Sequence, residues 1–158
     1  MRHGERLKKA KERSLTAEVR VGGKLLALAF PQTYMNDSGV AVSSLVRRYG
    51  IDDLHRLVVV HDELDLPTAR VKVKVGGGTA GNNGLKSVVA HLHTPDFVRV
   101  RIGIGKPPGR QSGTDHVLKR PGKAERAELE VAIVEAADAV EAILGEGVDA
   151  AMNRYNAS

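Results

Sequence analysis

Three polar loops hold the side chains best suited to chemistry. Pro31-Gln32-Thr33-Tyr34-Met35-Asn36-Asp37-Ser38-Gly39 offers Asn36, and Gly76-Gly77-Gly78-Thr79-Ala80-Gly81-Asn82-Asn83-Gly84 offers Asn83. Between them lies Leu57–Leu66, in which Leu-Val-Val-Val gives way to His61, Asp62, Glu63 and Asp65. A carboxamide both donates and accepts, so Asn36 and Asn83 can fix the orientation of a polar substrate. A carboxylate where a buried strand ends, as expected of Asp62, can orient a base or a water. A bare charged turn would look the same in the central stretch alone, but three such loops in one chain favour a site.

Other chemistries are poorly served. The sequence has no cysteine, which excludes disulfides, thiolate metal sites and a cysteine nucleophile. The glycine-rich loop lacks the Gly-Lys-Ser/Thr ending of a P-loop and the spacing of a dinucleotide fingerprint, so nucleotide-cofactor binding is disfavoured. No metal site stands out: His91 and His93 lie two apart on an expected helix and face different ways, while His55 and His116 read as surface residues.

The elements that must carry these loops follow from periodicity. Thr16–Val21 and Lys24–Phe30 flank Gly22-Gly23, a two-residue hairpin signal, with Leu25, Leu26, Leu28 and Phe30 predicting that the second strand is the more buried. Asp37 or Ser38 is expected to cap a helix with Ala41, Val42, Leu45, Val46 and Tyr49 on one face, ending at Gly50. Four apolar residues, three of them β-branched, predict a buried strand up to Val60. Arg70–Val75 alternates valines with cations, and Val98–Ile104 alternates again with Arg99 and Arg101 on the polar side. Those cations form a solvated face if the strands are apart, and a patch suited to phosphate if they are neighbours.

Leu85, Val88, Val89 and Leu92 predict a helix after the glycine loop, and Lys106–Lys119 a basic loop. A long helix is expected from about Lys123 to Leu144, buried along Leu129, Ala132, Ile133, Ala136, Val140, Ile143 and Leu144. A short helix around Ala150–Arg154 follows. Met1–Arg13, basic and without an apolar stripe, reads as the tail of a helix. Strands interleaved with helices predict an α/β fold, one three-layer domain over residues 1–158 with a mixed, mostly parallel twisted sheet flanked by helices.

With 158 residues, 42% hydrophobic and 27% charged, the chain suits one soluble domain. The net charge of +5 suits an anionic partner, whereas 3% aromatic residues argue against a base-stacking platform. No stretch reads as a signal peptide or membrane span, so a cytoplasmic location is expected. Hydrolysis of, or binding to, a nucleic-acid-linked substrate fits these features.

The loops quoted above, together with Arg99-Val100-Arg101-Ile102-Gly103-Ile104-Gly105, occur in an order that closely resembles the bacterial peptidyl-tRNA hydrolase family from about residue 3 onward. The resemblance implies cleavage of the ester between a peptide and the terminal ribose of tRNA, by a monomer that uses no metal and no cofactor. It implies that Asn36 and Asn83 hold the peptide and the ester end, that Tyr34 lines the same cleft, and that Asp62 orients a catalytic histidine. Lys74 and Arg101 match a pair that takes the 5′-phosphate of tRNA, and the Lys106–Lys119 loop with the helix after it would contact the acceptor stem.

The sequence also departs from the family pattern. The opening Gly-Asn-Pro-Gly strand end and the Thr-Arg-His-Asn motif that carries the catalytic histidine do not occur in it. His3 is followed by Glu5-Arg6-Leu7-Lys8-Lys9 rather than an apolar helix, so it is not expected to replace that histidine. Asn82 stands where the family often has histidine, and Phe30 where it often has lysine. The expectation is a domain shortened at its N-terminus, with ladder groups and apolar surface exposed and with lowered stability or self-association. A relative that binds RNA without cleaving it is the alternative.

Overall fold

The computed structural model describes residues 5–10, 12–33, 37–79, 82–105 and 123–156. They fall into two compact units, Met1–Leu57 with Gly77–Asp96, and Val58–Gly76 with Phe97–Ser158. No described helix is long and apolar enough to cross a membrane.

The first unit contains an antiparallel sheet of β1 (Lys8–Ala10), β2 (Ser14–Val21) and β3 (Lys24–Pro31), in that order. Gly22 and Gly23 both have positive φ, 57° and 81°, which closes β2 onto β3 as the two-glycine signal predicts. The basic N-terminal stretch is not the tail of a helix. Lys8–Ala10 pairs with Ser14–Thr16, and buried Glu12 in the intervening turn bonds Arg48 at 3.0 Å. The predicted burial of the hairpin is also reversed. Ala17 and Val19 of β2 are buried, whereas Leu25 and Phe30 of β3 are 54% and 60% exposed. Among the described strands β3 pairs with β2 alone, so apolar composition did not translate into a central position.

Helices α1 (Ser38–Arg48) and α2 (Asn83–Leu92) complete this unit. Ala41 and Leu45 of α1 are buried, as are Leu85 and Val88 of α2, and positive-φ Gly50 follows α1 as its composition predicts. Asp37 makes no side-chain cap, however. Instead the Gly39 N–H donates to Ser87 Oγ at 2.9 Å, so α2 satisfies an orphan donor of α1. The approach requires glycine, because a Cβ at position 39 would overlap the Ser87 carbonyl and His91 Nδ1. Gly39→Ala is expected to destabilise the protein by about 3 kcal/mol in urea unfolding, at the upper end for overpacking, because the obstacle is partly backbone. Gly78→Ala, into open space, should change stability by less than about 0.5 kcal/mol.

The second unit holds a mixed sheet ordered β4 (Val58–Glu63), β6 (Val98–Gly103), β5 (Val71–Val75). The α/β class and the mixed sheet match expectation, but among the described strands pairing is parallel only between β4 and β6. The chain reverses between β1 and β2 and between β2 and β3, and β5 runs opposite to β6, so the other pairs are antiparallel. Val71, Val73, Val98 and Val100 form the apolar face, packed on Ala132, Ala136 and Ala139 of α3 (Lys123–Glu146). Small residues let the helix approach closely, so the alanines rather than Ile133, which is 59% exposed, form the buried ridge. Helix α4 (Val148–Tyr155) adds Met152 and Tyr155 to this cluster. Just beyond it, the Asn156 carboxamide accepts from Val73 N–H at 2.8 Å and donates to Val73 C=O at 2.7 Å. One side chain thereby imitates a pairing strand on the outer edge of β5.

Candidate functional site

Each unit carries its own share of the predicted site. In the first, Asn83 is the opening residue of α2 and is exposed. Its neighbour Asn82, the position that departs from the family pattern, is the helix cap, accepting from Leu85 N–H through Oδ1 at 3.0 Å. An asparagine in extended backbone suits that role, and the Asn-x-x-Leu spacing was the available signal. Tyr34 and Asn36 lie outside the described residues, as do His3 and the Lys106–Lys119 loop. The helix that begins at Ser38, two residues after Asn36, is tied to α2 by the Gly39–Ser87 bond.

In the second unit His61, Asp62 and Glu63 do not follow the strand but belong to it, and Asp65 lies beyond its end. β4 continues through His61, Asp62 and Glu63, because β6 supplies parallel partners as far as Glu63↔Gly103. Nor is β4 uniformly buried, since Val60 is 50% exposed. Asp62 is half-buried and registers with Ile102. The loop after β4 is clamped to the end of β6 by Ala69 N–H to Gly103 O, Ile104 N–H to Glu63 O and Gly105 N–H to Leu66 O, all near 3 Å. These bonds fix where the acidic strand end stands.

Strands β5 and β6 are neighbours, and their register sets Lys74 opposite Arg99 and Lys72 opposite Arg101. His61 registers with Arg101 from the other side. Side chains alternate across a strand, so the face opposite the valines collects His61, Glu63, Lys72, Lys74, Arg99 and Arg101. This is not a fully solvated face. Arg99 is completely buried, with its guanidinium 4.6 Å from the Phe97 ring centroid. Arg101 Nη1 lies 3.5 Å from Glu63 Oε1, and the Arg101 Nε is buried without an acceptor among the described residues.

Burial lowers the Lys74 pKa, and the Arg101 and Arg99 charges lower it further, against the pull of Glu63. An ammonium in that position gains from an added anion, which would relieve the repulsion. Burial also lowers the His61 pKa, outweighing the bond between its Nδ1 and the Asp62 carbonyl at 2.8 Å. If Nδ1 carries the proton and donates to that carbonyl, Nε2 is left as a buried acceptor with no partner among the described residues. The face therefore gathers several cations in fixed register around one carboxylate.

The family described as peptidyl-tRNA hydrolase matches residues 1–158. A peptidyl-tRNA hydrolase of Leifsonia xyli subsp. xyli is 48% identical over 148 residues, 92% of this chain and 76% of that protein. The Cutibacterium acnes enzyme of the same name is 51% identical over 136 residues, 86% of this chain and 68% of its own. The crystal structure of peptidyl-tRNA hydrolase from Acinetobacter baumannii superposes with a TM-score of 0.90 at 34% identity, covering 99% of this chain and 79% of that one. Identity at this level over nearly the whole chain, with the fold to match, makes the protein a member of the peptidyl-tRNA hydrolase family.

Proposed function

We propose that this chain hydrolyses the ester of peptidyl-tRNA, freeing the peptide and returning the tRNA to translation. A water attacks the ester carbonyl, a base takes its proton, the bond to the terminal ribose breaks, and that proton leaves with the ribose oxygen. Asp62 orients the base through a hydrogen bond and is a positioning residue. Asn36 and Asn83 hold the peptide and the ester end, with Tyr34 along the same cleft. Lys74 and Arg101 take the 5′-phosphate of the acceptor stem. The protein acts as a monomer in the cytoplasm, as one domain over residues 1–158.

The observation that supports this reading best is the shared face of Lys74 and Arg101, in a chain whose relatives are named hydrolases. Those names also favour an enzyme over a relative that only binds RNA. Release of N-acetylated amino acid from a charged tRNA tests the proposal. Turnover needs a base in the place of the family's histidine, whose motif does not occur in this sequence; with that base supplied, Asp62→Asn is expected to lower kcat by about 100-fold, the smaller end of what a mispositioned base costs, and to leave tRNA affinity unchanged. Binding of tRNA without turnover would replace the hydrolytic reading with the binding one. Equal turnover by Asp62→Asn would remove Asp62 from the mechanism.

A further inference from the structure

Glu63 brings a negative charge into the cationic face of β4, β6 and β5, and no role in the proposed hydrolysis uses it. It is only 6% exposed, and a carboxylate so buried requires compensation. In register it meets Gly103, which has no side chain, and the space where a Cβ would stand there is occupied by Leu66 and the Pro67 carbonyl. The next cation along β6 is Arg101, and Glu63 Oε1 reaches its Nη1 at 3.5 Å. That distance is at the long limit of a hydrogen bond, so the contact is mainly electrostatic and can be shared with a second anion. Lys74 feels the same carboxylate, which opposes the repulsion from both arginines. The Nη1 contact to Glu63 therefore orients the guanidinium, whose Nε is buried.

We propose that Glu63 is the positioning residue of the phosphate clamp. Its carboxylate holds the Arg101 guanidinium in place and supplies the negative charge against which an incoming 5′-phosphate must compete. The inference rests on the reading of Lys74 and Arg101 as that clamp. It separates two properties. Orientation of Arg101 needs an acceptor oxygen at position 63, whereas competition with phosphate needs the charge. Glu63→Gln retains the first and loses the second. Glu63→Leu loses both.

The test is fluorescence anisotropy of the full chain with an acceptor-stem RNA hairpin bearing either a 5′-phosphate or a 5′-hydroxyl, at one fixed salt concentration. The unaltered protein should prefer the phosphorylated hairpin. Glu63→Gln should bind it about 5- to 10-fold tighter with the hydroxyl hairpin unchanged, because a like charge next to the phosphate has been removed. Glu63→Leu should bring the two affinities close together. If both variants shift the two hairpins equally, or neither shifts the preference, Glu63 is merely structural and the proposal is overturned while the clamp stands. If the unaltered protein shows no preference, the clamp reading fails and takes the proposal with it.

Discussion

Replacing Arg101 by alanine is expected to lower kcat/KM on 5′-phosphorylated peptidyl-tRNA by about 10- to 150-fold. A charge-assisted contact is worth about 1.5–3 kcal/mol, and about 1.4 kcal/mol is tenfold. The loss should appear in KM with kcat nearly unchanged, because a contact to the 5′-end is made equally in the ground and transition states. A substrate with a 5′-hydroxyl should show only a small effect, and equal losses on both substrates would remove Arg101 from the clamp.

Arg101→Lys should recover only part of the loss, since an ammonium is a point charge without the planar fork. Stability should fall as well. The Arg101 side chain is 16% exposed and that of Glu63 is 7%, so the alanine leaves a buried carboxylate without its nearest partner. Glu63→Leu added to Arg101→Ala should restore much of the melting temperature and none of the phosphate preference. That outcome would separate the structural consequence from the binding one.

Asn156→Ala is expected to cost about 2–3 kcal/mol, read as a fall in melting temperature of roughly 5–10 °C for a chain of this size. The Asn156 side chain is the acceptor for Val73 N–H and the donor to Val73 C=O, and Val73 is fully buried. Truncation leaves two backbone groups without partners in a place water reaches poorly, which is worse than the loss of two exposed bonds. Asn156→Asp is informative because a carboxylate can still accept from the N–H but cannot donate to the carbonyl. It should therefore be about as damaging as alanine. A shift below about 1 °C in both variants would mean that the β5 edge does not depend on this residue.

Parts of this protein were legible because they are written in neighbouring residues. Two consecutive glycines fixed the β2–β3 turn, since a type I′ turn needs positive φ at both positions. Alternating valines and cations predicted which side of β5 and β6 faces the core, because side chains alternate strictly along a strand. Gly50 and the apolar spacing before it set the end of α1. The four motifs that resemble the family were likewise local, and they led to its membership.

What the sequence left open depended on partners far along the chain. Lys74 and Arg101 are 27 positions apart by their numbers, and only the antiparallel pairing of β5 with β6 puts them on one face. The charged residues after Val60 look like the end of a strand, yet β6 supplies ladder partners that keep Glu63 within it. Asp37 looked like a cap, but Ser87 of another helix satisfies the Gly39 N–H. Asn156 looked like an ordinary C-terminal asparagine, yet it completes a strand edge 83 positions earlier. Backbone conformation answers to adjacent residues, whereas the satisfaction of a buried donor or charge depends on whatever folding brings beside it.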